Sequence, residues 1–366
     1  MGIRVHCGEI SSADKNLVVL YTGSYRPGNG GFSGDGCYLV YDASNNALSA
    51  IPPLSDSPTI NGLGRTAAIL RRGGDGAYVL AELVTTCDLA LPGAELFFWS
   101  SSVAAAASTE NPGGQWSRRA VRLPLPPHLS GPTYIFEVDM AFSFAGSYIC
   151  WADLLTGVLI RDLSSPQSPQ FTFVPLPEGC CLDIPHSRRL GLKPEEFRSM
   201  GCACGAIKFV DLIGYPDDAC PSNGVTLKTW TLSHDFKEWK EGKALCVRDI
   251  WSSESFNEMQ LPHVMPMFPV LSMDEEEVIY AVLNVIERVD DVDEFGDILG
   301  VDLVPKAHYL IRHDMVQNKV LTSAKSSATS YAWLRPTLFA SEFSAYLRDK
   351  GPSSNCSVTT SIQFIS

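Results

Sequence analysis

Residues 147–177, SYICWADLLTGVLIRDLSSPQSPQFTFVPLP, decide the fold. They contain an apolar run, a turn at Thr156-Gly157, a second apolar run, and a third run that ends in proline. Short runs rich in β-branched and aromatic residues between turn residues predict β-strands. The pattern recurs in residues 36–54, GCYLVYDASNNALSAIPPL, and less regularly in 94–126, 225–251 and 308–324. Repetition of one small β-unit predicts a propeller or a similar array of sheets.

Five such units follow one another along the chain, at 17–53, 65–126, 134–177, 198–251 and 268–324. We therefore predict an all-β protein with a propeller-like array of about five to six small antiparallel sheets, in a single domain over residues 1–366. Equivalent strands of successive units lie 58 to 81 residues apart, whereas propeller blades repeat every ~40–50 residues. This irregular spacing leaves a β-sandwich of two packed sheets as the alternative.

The C-terminal segment, residues 336–366, differs from these units. Apolar side chains at helical spacing lie between Pro336 and Gly351-Pro352, which predicts one amphipathic helix. The apolar positions are Leu338, Phe339, Phe343, Tyr346 and Leu347. Residues 356–365 predict a closing strand, and residues 3–6 offer it a partner in the first unit.

Negative charge is concentrated in one region of the chain. The formal net charge is −13, and residues 251–310 contain thirteen acidic and two basic residues, which gives −11. Such a surface repels nucleic-acid phosphates and anionic lipids, so we expect neither nucleic acid nor a membrane as a partner. A protein partner with a basic surface suits this charge better.

The sequence also bears on the cellular compartment. The N-terminal residues MGIRVHCGEISS form no apolar signal segment, and no run of about 18 apolar residues predicts a membrane-spanning helix. Eleven cysteines without a signal segment are typical of reduced thiols. We therefore expect the protein in the cytoplasm or the nucleus.

Residues 150–180 carry the most specific pattern, a tryptophan and an aspartate before a turn glycine and then an aromatic-Val-Pro-Leu-Pro end. Its positions are Trp151, Asp153, Leu154, Gly157, Leu159, Asp162 and 173–177. An apolar run and a second tryptophan motif follow it. Their positions are 207–210, Leu227, Trp230 and Leu232.

Together these residues resemble the plant family known as domain of unknown function 1618, which is expanded in grasses. The resemblance covers residues 134–275 and implies a β-rich body, similar to the sheets that follow an F-box in plant substrate receptors. It implies no reaction, catalytic residue, metal or cofactor. Only about sixteen residues precede the first predicted strand, too few for the helical F-box, so we expect no F-box in this chain.

Two loops invite a ligand interpretation. The Gly-rich residues 26–36 lack both the G-x-G-x-x-G and the Gly-Lys-Ser/Thr pattern, so we interpret them as a hairpin loop. Residues 291–302 place acids and a glycine at several positions of a calcium loop, but Phe295 occupies a ligand position. We therefore predict a solvated acidic loop over 287–302, and calcium binding stays an open alternative.

We interpret the cysteine motif as structural as well. Cys202-x-Cys204 could join Cys180-Cys181 and Cys220 in a zinc site, but no second C-x₂₋₄-C pair accompanies it. We expect Cys202 and Cys204 to share one face of a strand.

The remaining candidates are two His-Asp pairs and three tryptophans. His234-Asp235 and His313-Asp314 lack a nucleophile motif, so we place them at turns or strand ends. The tryptophans Trp99, Trp151 and Trp230 lie within predicted strands, and we interpret them as core residues rather than as an aromatic binding surface.

Two functions compete on these grounds, and the sequence names no catalytic, metal or cofactor residue for either. A non-enzymatic interaction scaffold would present its insertions, at 103–114, 181–198 and 287–306, to a protein partner. A hydrolytic or ligand-binding protein would instead need carboxylates that converge on a central polar pocket. The candidates for that role are Asp42, Asp153, Asp162, Asp211 and Asp314. We prefer the scaffold.

Overall fold

The computed structural model describes residues 9–22, 37–52, 54, 66–73, 76–85, 94–101, 115–129, 134–164, 170–182, 193–215, 221, 224–292, 298–326, 338, 341 and 343. In these residues the chain forms five four-stranded sheets, and each sheet is an antiparallel meander with its strands in sequence order. The sheets are the five blades of a β-propeller. The predicted all-β propeller is thereby confirmed, and the sandwich alternative is not needed.

The strand bounds show that each blade comes from one continuous part of the chain. Blade 1 contains β1 (Glu9–Asp14), β2 (Leu17–Tyr21), β3 (Tyr38–Asp42) and β4 (Ala47–Ile51). Blade 2 contains β5 (Ala67–Arg72), β6 (Ala77–Thr85), β7 (Ala94–Ser100) and β8 (Ser117–Val121). Blade 3 contains β9 (Met140–Phe144), β10 (Tyr148–Asp153), β11 (Gly157–Asp162) and β12 (Phe171–Pro175).

The last two blades follow the same scheme. Blade 4 contains β13 (Arg198–Ala203), β14 (Ala206–Ile213), β15 (Thr226–Leu232) and β16 (Trp239–Cys246). Blade 5 contains β17 (Pro266–Leu271), β18 (Val278–Val292), β19 (Ile298–Asp314) and β20 (Lys319–Ser326). The first strands of successive blades contact one another from β1 through β5, β9 and β13 to β17, so these strands surround the centre.

Apolar side chains fill the spaces between successive blades. Each interface has its own buried cluster, with members such as Leu17 and Ile69 for blades 1 and 2, Leu83 and Trp151 for blades 2 and 3, Cys150 and Phe209 for blades 3 and 4, and Leu212 and Ile279 for blades 4 and 5. Burial of apolar area of this kind is the main stabilising contribution in the fold.

Strand β1 was not predicted from the sequence, because its segment EISSAD is mostly polar. The buried polar side chains bind the next blade instead of water. Ser12 Oγ accepts the backbone N–H of Ile69 at 2.9 Å, and Asp14 Oδ2 accepts that of Arg71 at 2.6 Å. Blade 1 therefore draws its four strands from residues 9–51, and the predicted partner 3–6 and closing strand 356–365 lie outside the described residues.

Two residues near the C-terminus connect blade 5 to blade 1. Leu338 is buried against Phe268 and Tyr280 of blade 5. Phe343 is buried as well, and its ring meets that of Tyr41 in blade 1 edge-on, with 6.2 Å between the centroids. The predicted helix around these residues lies largely outside the described part of the chain.

Two short helices between blades 4 and 5 were not predicted. Helix α1 (Val247–Ser252) and helix α2 (Glu254–Glu258) bury Val247, Ile250 and Phe256 against blade 5. Such short elements carry too few turns for a helical period to emerge from the sequence. No helix in the described ranges is long and apolar enough to cross a membrane.

The predicted acidic loop over 287–302 is wrong for most of its length. Strands β18 and β19 pair from Val278↔Asp314 out to Val292↔Ile298, so the described parts of this segment are a hairpin. Antiparallel pairing lets charged residues extend a strand wherever one face stays in solvent. The sequence placed a loop there because acidic residues are depleted in strands on average.

Candidate functional site

The tryptophan and the aspartate of the 150–180 pattern hold blade 3 together and attach it to blade 2. Trp151 is fully buried, and its indole N–H donates to the carbonyl of Thr66 at 3.2 Å. Asp153 accepts hydrogen bonds from Tyr134 Oη at 2.7 Å and from the N–H of Leu155 at 2.9 Å. Burial raises the pKa of Asp153 to about 6, although these donors act in the opposite direction.

An arginine connects this turn to blade 4. Arg198 is buried, and its Nη1 donates to the carbonyl of Leu154 at 2.9 Å. Its Nε and Nη2 donate to the two carboxylate oxygens of Asp211 at 3.0 and 2.8 Å. Every guanidinium nitrogen is therefore satisfied, and the pair acts as a structural link rather than as an exposed charge.

The other residues of the pattern have packing roles. A Cβ atom at Gly157 would lie 2.3 Å from the carbonyl oxygen of Val174, so only glycine fits between β11 and β12. Asp162 accepts the N–H of Ser164 and ends its strand. The carbonyl of Pro175 accepts the indole N–H of Trp239 at 2.7 Å and joins blade 3 to blade 4.

The five candidate carboxylates do not converge on a pocket. Each one binds a neighbouring turn or an ion-pair partner on its own blade. The partners are Ser44 and Asn16 for Asp42, Tyr134 for Asp153, Ser164 for Asp162, Arg198 for Asp211, and the N–H groups of Val316 and Gln317 for Asp314. Asp42, Asp153, Asp162 and Asp314 lie at strand ends on blades 1, 3 and 5, where a short acidic side chain caps the turn that follows.

A cavity of about 180 Å³ opens at the centre of the propeller, where the first strands of blades 1, 3, 4 and 5 end. Most of its lining is apolar and includes Met140, Met200 and Leu271. Asp14 and Lys208 are the buried charged residues there. Asp14 is engaged by the backbone of blade 2 and its pKa is raised by burial, and Lys208 forms an ion pair with Glu276.

The outer part of the β18–β19 hairpin extends beyond its blade, and we call it the acidic ribbon (residues 285–292 and 298–307). Strand β17 accompanies β18 only as far as Leu283, and β20 accompanies β19 only from His308 onwards. In the described residues the ribbon strands therefore pair only with each other. Ile286 and Val289 are 39% and 42% exposed, so apolar side chains also face solvent here.

The base of the ribbon is fixed to the blade. His308 is buried, and its Nδ1 lies 2.7 Å from Oδ1 of Asn284 on the paired strand. Further out, Glu287 and Lys306 form an exposed ion pair across the two strands. Asp291 lies opposite Gly300 and Val289 opposite Asp302, so residues 291–292 and 298–302 are paired strand, unlike the helix-flanked loop of calcium sites.

Comparison with a family model identifies the part of the chain that carries the tryptophan and aspartate pattern. The model described as "Protein of unknown function (DUF1618)" matches residues 151–280. This stretch is a DUF1618 region. The family inferred from Trp151 and the residues after it is thereby confirmed, while a plant origin and similarity to F-box receptors stay predictions.

The DUF1618 region begins in β10 and ends in β18, so it includes blade 4 and parts of blades 3 and 5. Its pattern residues either bind a neighbouring blade, as Trp151 and Pro175 do, or hold strands and turns together within their own blade, as Gly157 and Asp162 do. This explains why the pattern identifies a family without indicating a reaction. A comparison with curated proteins found no match to the chain.

Solved structures, some of them β-propeller domains, resemble the chain only distantly. The β-propeller domain of Cps50 (Swd1) from Myceliophteria thermophila is 9% identical, with a TM-score of 0.35 over 88% of this chain and 87% of that one. Sqt1 from Saccharomyces cerevisiae is 10% identical, with a TM-score of 0.39 over 88% and 76%. The propeller domain of the trilobed protease from Pyrococcus furiosus is 8% identical, with a TM-score of 0.34 over 85% and 79%. Similarities at this level carry no argument about function.

The cysteine residues do not have the arrangement that the sequence predicted. Strand β13 ends at Ala203, and Cys204 follows in a turn with φ of 49°, so Cys202 and Cys204 do not share a strand face as we expected. Cys180 is buried, which raises the pKa of its thiol to about 11, while Cys181 is exposed. Cys220 and the Gly-rich residues 26–36 lie outside the described residues.

The histidines and tryptophans lie where the sequence placed them. His234 and Asp235 form a turn, and His313 precedes the last residue of β19. Trp151 and Trp230 are buried, and Trp99 packs half-buried between blades 1 and 2. The sequence analysis missed three buried charged residues, Asp14, Arg161 and Lys208. Their position inside a strand segment is the one feature of the sequence that could have indicated them.

Proposed function

We propose that this propeller is a protein-interaction scaffold, and that the acidic ribbon binds an extended basic segment of a partner protein. The single observation that supports this most directly is the projection of β18 and β19 beyond their blade neighbours. The propeller fold is compatible with a scaffold role, since it presents edges and loops from a rigid body.

The free edges of the ribbon favour an extended partner. A two-stranded hairpin that leaves its sheet is marginally stable alone, and its outer edges carry backbone N–H and C=O groups without a strand partner. An extended peptide that adds as a third strand satisfies those groups and gains its affinity from main-chain hydrogen bonds. The exposed Ile286 and Val289 offer apolar contacts to alternate side chains of such a peptide.

The charge of the ribbon favours a basic partner. The ribbon contains four acidic and two basic residues, a formal charge of −2, and the sequence between its two strands, 293–297, adds three more acidic residues, so that 285–307 carries −5. Opposite charge on the partner speeds association and selects against acidic segments, and both effects weaken as salt rises. The same charge keeps ribbons of two copies apart, which protects the open edges from pairing with each other.

The central cavity weighs against a substrate pocket. Its volume of about 180 Å³ lies below the ~300–1,000 Å³ of ordinary ligand sites, and a larger, shallower depression of about 520 Å³ between blades 1 and 2 is lined by one of the five candidate carboxylates, Asp42. The two buried charges of the central cavity already have partners in the protein. None of the five candidate carboxylates lines the central cavity.

A peptide-binding experiment tests the proposal. The probe is a short peptide in which Lys and Val alternate, and its counterpart with Glu in place of Lys is the peptide control. We expect the Lys peptide to bind the full chain and the double variant Glu287→Lys/Asp290→Lys to bind it about tenfold more weakly. The matched control Glu238→Lys/Glu258→Lys reverses two exposed charges on blade 4 and helix α2, and its affinity should stay close to that of the original chain.

Two results would overturn the proposal. One is equal binding of the Lys and Glu peptides, and the other is an equal loss in both double variants. Affinity purification from native tissue supplies the second readout. Proteins that depend on the ribbon should be lost with the Glu287→Lys/Asp290→Lys bait and retained with the control bait.

A further inference from the structure

Arg161 of blade 3 is a buried cation that has no hydrogen-bond partner. It lies in β11 at the interface with blade 2 and is 5% exposed. Its Nε and Nη1 are buried and make no hydrogen bond. A buried charge without a partner is strongly unfavourable, so such groups in folded proteins usually have a counter-ion or an ordered ligand.

Aromatic rings hold the guanidinium in place from two blades. The centre of the guanidinium lies 5.0 Å from the ring of Phe98 on blade 2 and 5.5 Å from the ring of Phe171 on blade 3. Cation–π contacts of this kind fix the plane of an arginine and compensate part of its desolvation. They leave the N–H groups at the edge of the plane available to an acceptor.

The charges nearby are positive. Burial and, to a smaller extent, the charge of Arg119, an exposed residue of β8, together lower the pKa of Arg161 to about 10. Arg72 also crosses this interface, where its Nη2 donates to the carbonyl of Leu163 at 2.8 Å and its Nε is buried without a partner. No ion pair joins Arg161 to a carboxylate within the described residues.

Arg198 provides the internal comparison. It is as deeply buried as Arg161 and also lies against two phenylalanine rings, Phe197 and Phe209. Its three nitrogens, however, donate to Asp211 and to the carbonyl of Leu154. Arg161 has the same aromatic support and lacks the anion, so the missing component is an oxyanion.

We propose that Arg161 binds a phosphate group at the interface of blades 2 and 3. The oxygens of a phosphate accept the parallel N–H pairs of an arginine fork, and their negative charge compensates the buried guanidinium. Free phosphate and a phosphate monoester present the same oxygens to this arginine. This site is independent of the acidic ribbon.

Binding of phosphate is measured on the full chain by calorimetry and by the shift of its melting temperature, at constant ionic strength with chloride as the reference anion. Inorganic phosphate and O-phosphoserine are separate arms, which distinguish free phosphate from a phosphorylated residue. We expect a rise in melting temperature with phosphate, since a ligand that binds only the folded state stabilises it. We expect Arg161→Met to abolish the rise and Arg161→Lys to weaken binding about tenfold.

Arg118→Gln is the matched control, because it removes an arginine of blade 2 whose partner is Glu95 and not a ligand. It should bind phosphate as the original chain does. Arg161→Met removes an unpaired buried charge, so without phosphate its melting temperature should equal or exceed that of the original chain. The proposal is overturned if the original chain binds neither probe, or if Arg161→Met binds phosphate equally well.

Discussion

Arg198 donates a hydrogen bond from Nη1 to the carbonyl of Leu154 at 2.9 Å, and this contact joins the first strand of blade 4 to the β10–β11 turn of blade 3. The arginine is held in that position by Asp211 on the adjacent strand. A turn in one blade is therefore positioned by an ion pair in the next. The DUF1618 region thus fixes the angle between two blades with polar groups as well as with apolar packing.

Removal of the anionic partner should destabilise the propeller strongly. Asp211→Ala leaves the buried Arg198 without its counter-ion, and loss of one partner from a buried pair costs about 3–5 kcal/mol in the free energy of unfolding. Glu241→Ala breaks the ion pair between Glu241 and Lys228. The Glu241 side chain is 70% exposed, so the loss in the free energy of unfolding should be about 1 kcal/mol or less. Urea unfolding measures both. Equal losses of unfolding free energy in the two variants would show that the buried pair stabilises the fold no more than an exposed pair does.

The sequence predicted the strands of blade 3 well, because β10 and β11 have apolar residues on both faces and a clear turn at Thr156-Gly157. It missed β1, where Ser12 and Asp14 replace apolar contacts by hydrogen bonds to the next blade. Such bonds depend on a neighbour more than fifty residues away in the chain, and no local pattern records them.

The candidate site was predicted less well than the fold. The sequence marked the acidic residues around Glu287 as a candidate but placed them in a loop, since pairing with β19 and not local propensity makes them a strand. The sequence could not predict that Arg161 is buried without a hydrogen-bond partner, because Phe98, whose ring lies against its guanidinium, belongs to another blade. Contacts between blades are thus the part of the structure that a single sequence conceals.

Gly157 should tolerate no side chain. In Gly157→Ala the new Cβ would meet the carbonyl oxygen of Val174 at 2.3 Å and the ring of Phe173 at 2.7 Å. Because the nearest atom is backbone, β11 and β12 must separate, and we expect a loss of about 1–3 kcal/mol in the free energy of unfolding. Gly201→Ala on β13 is the control, since nothing lies within 4 Å of its Cβ position. Thermal unfolding should show a lower melting temperature for the first variant only.

The contact between Leu338 and blade 5 should stabilise the closure of the ring. Leu338→Ala removes a buried side chain from the cluster around Phe268 and Tyr280, and we expect it to cost about 2–5 kcal/mol. Val316→Ala, at a residue that is 62% exposed, is the control and should change little. Limited proteolysis adds a local readout, because loss of this contact should expose the segment after β20 to cleavage before the blades unfold. Unchanged cleavage and stability in Leu338→Ala would contradict this role.

Acidification should destabilise the protein through His313. Burial lowers the pKa of this histidine, whose Nε2 lies 3.1 Å from Asn318 Oδ1 and whose Nδ1 is buried without a partner. In the unfolded chain this histidine takes up a proton near the ordinary histidine pKa of about 6.5, whereas in the folded chain it stays neutral at that pH. The free energy of unfolding therefore falls as the pH drops through that range.

Asp153 acts in the opposite direction, because its pKa is raised to about 6 and its carboxylate is protonated in the folded state at a pH where the unfolded chain is still ionised. His313→Gln should consequently lose less stability than the original chain between about pH 7 and about pH 5.5, as measured by urea unfolding. An identical pH dependence in the two proteins would exclude His313 as the source, and Asp153→Asn, which removes the opposing contribution, should make the acid-induced loss steeper.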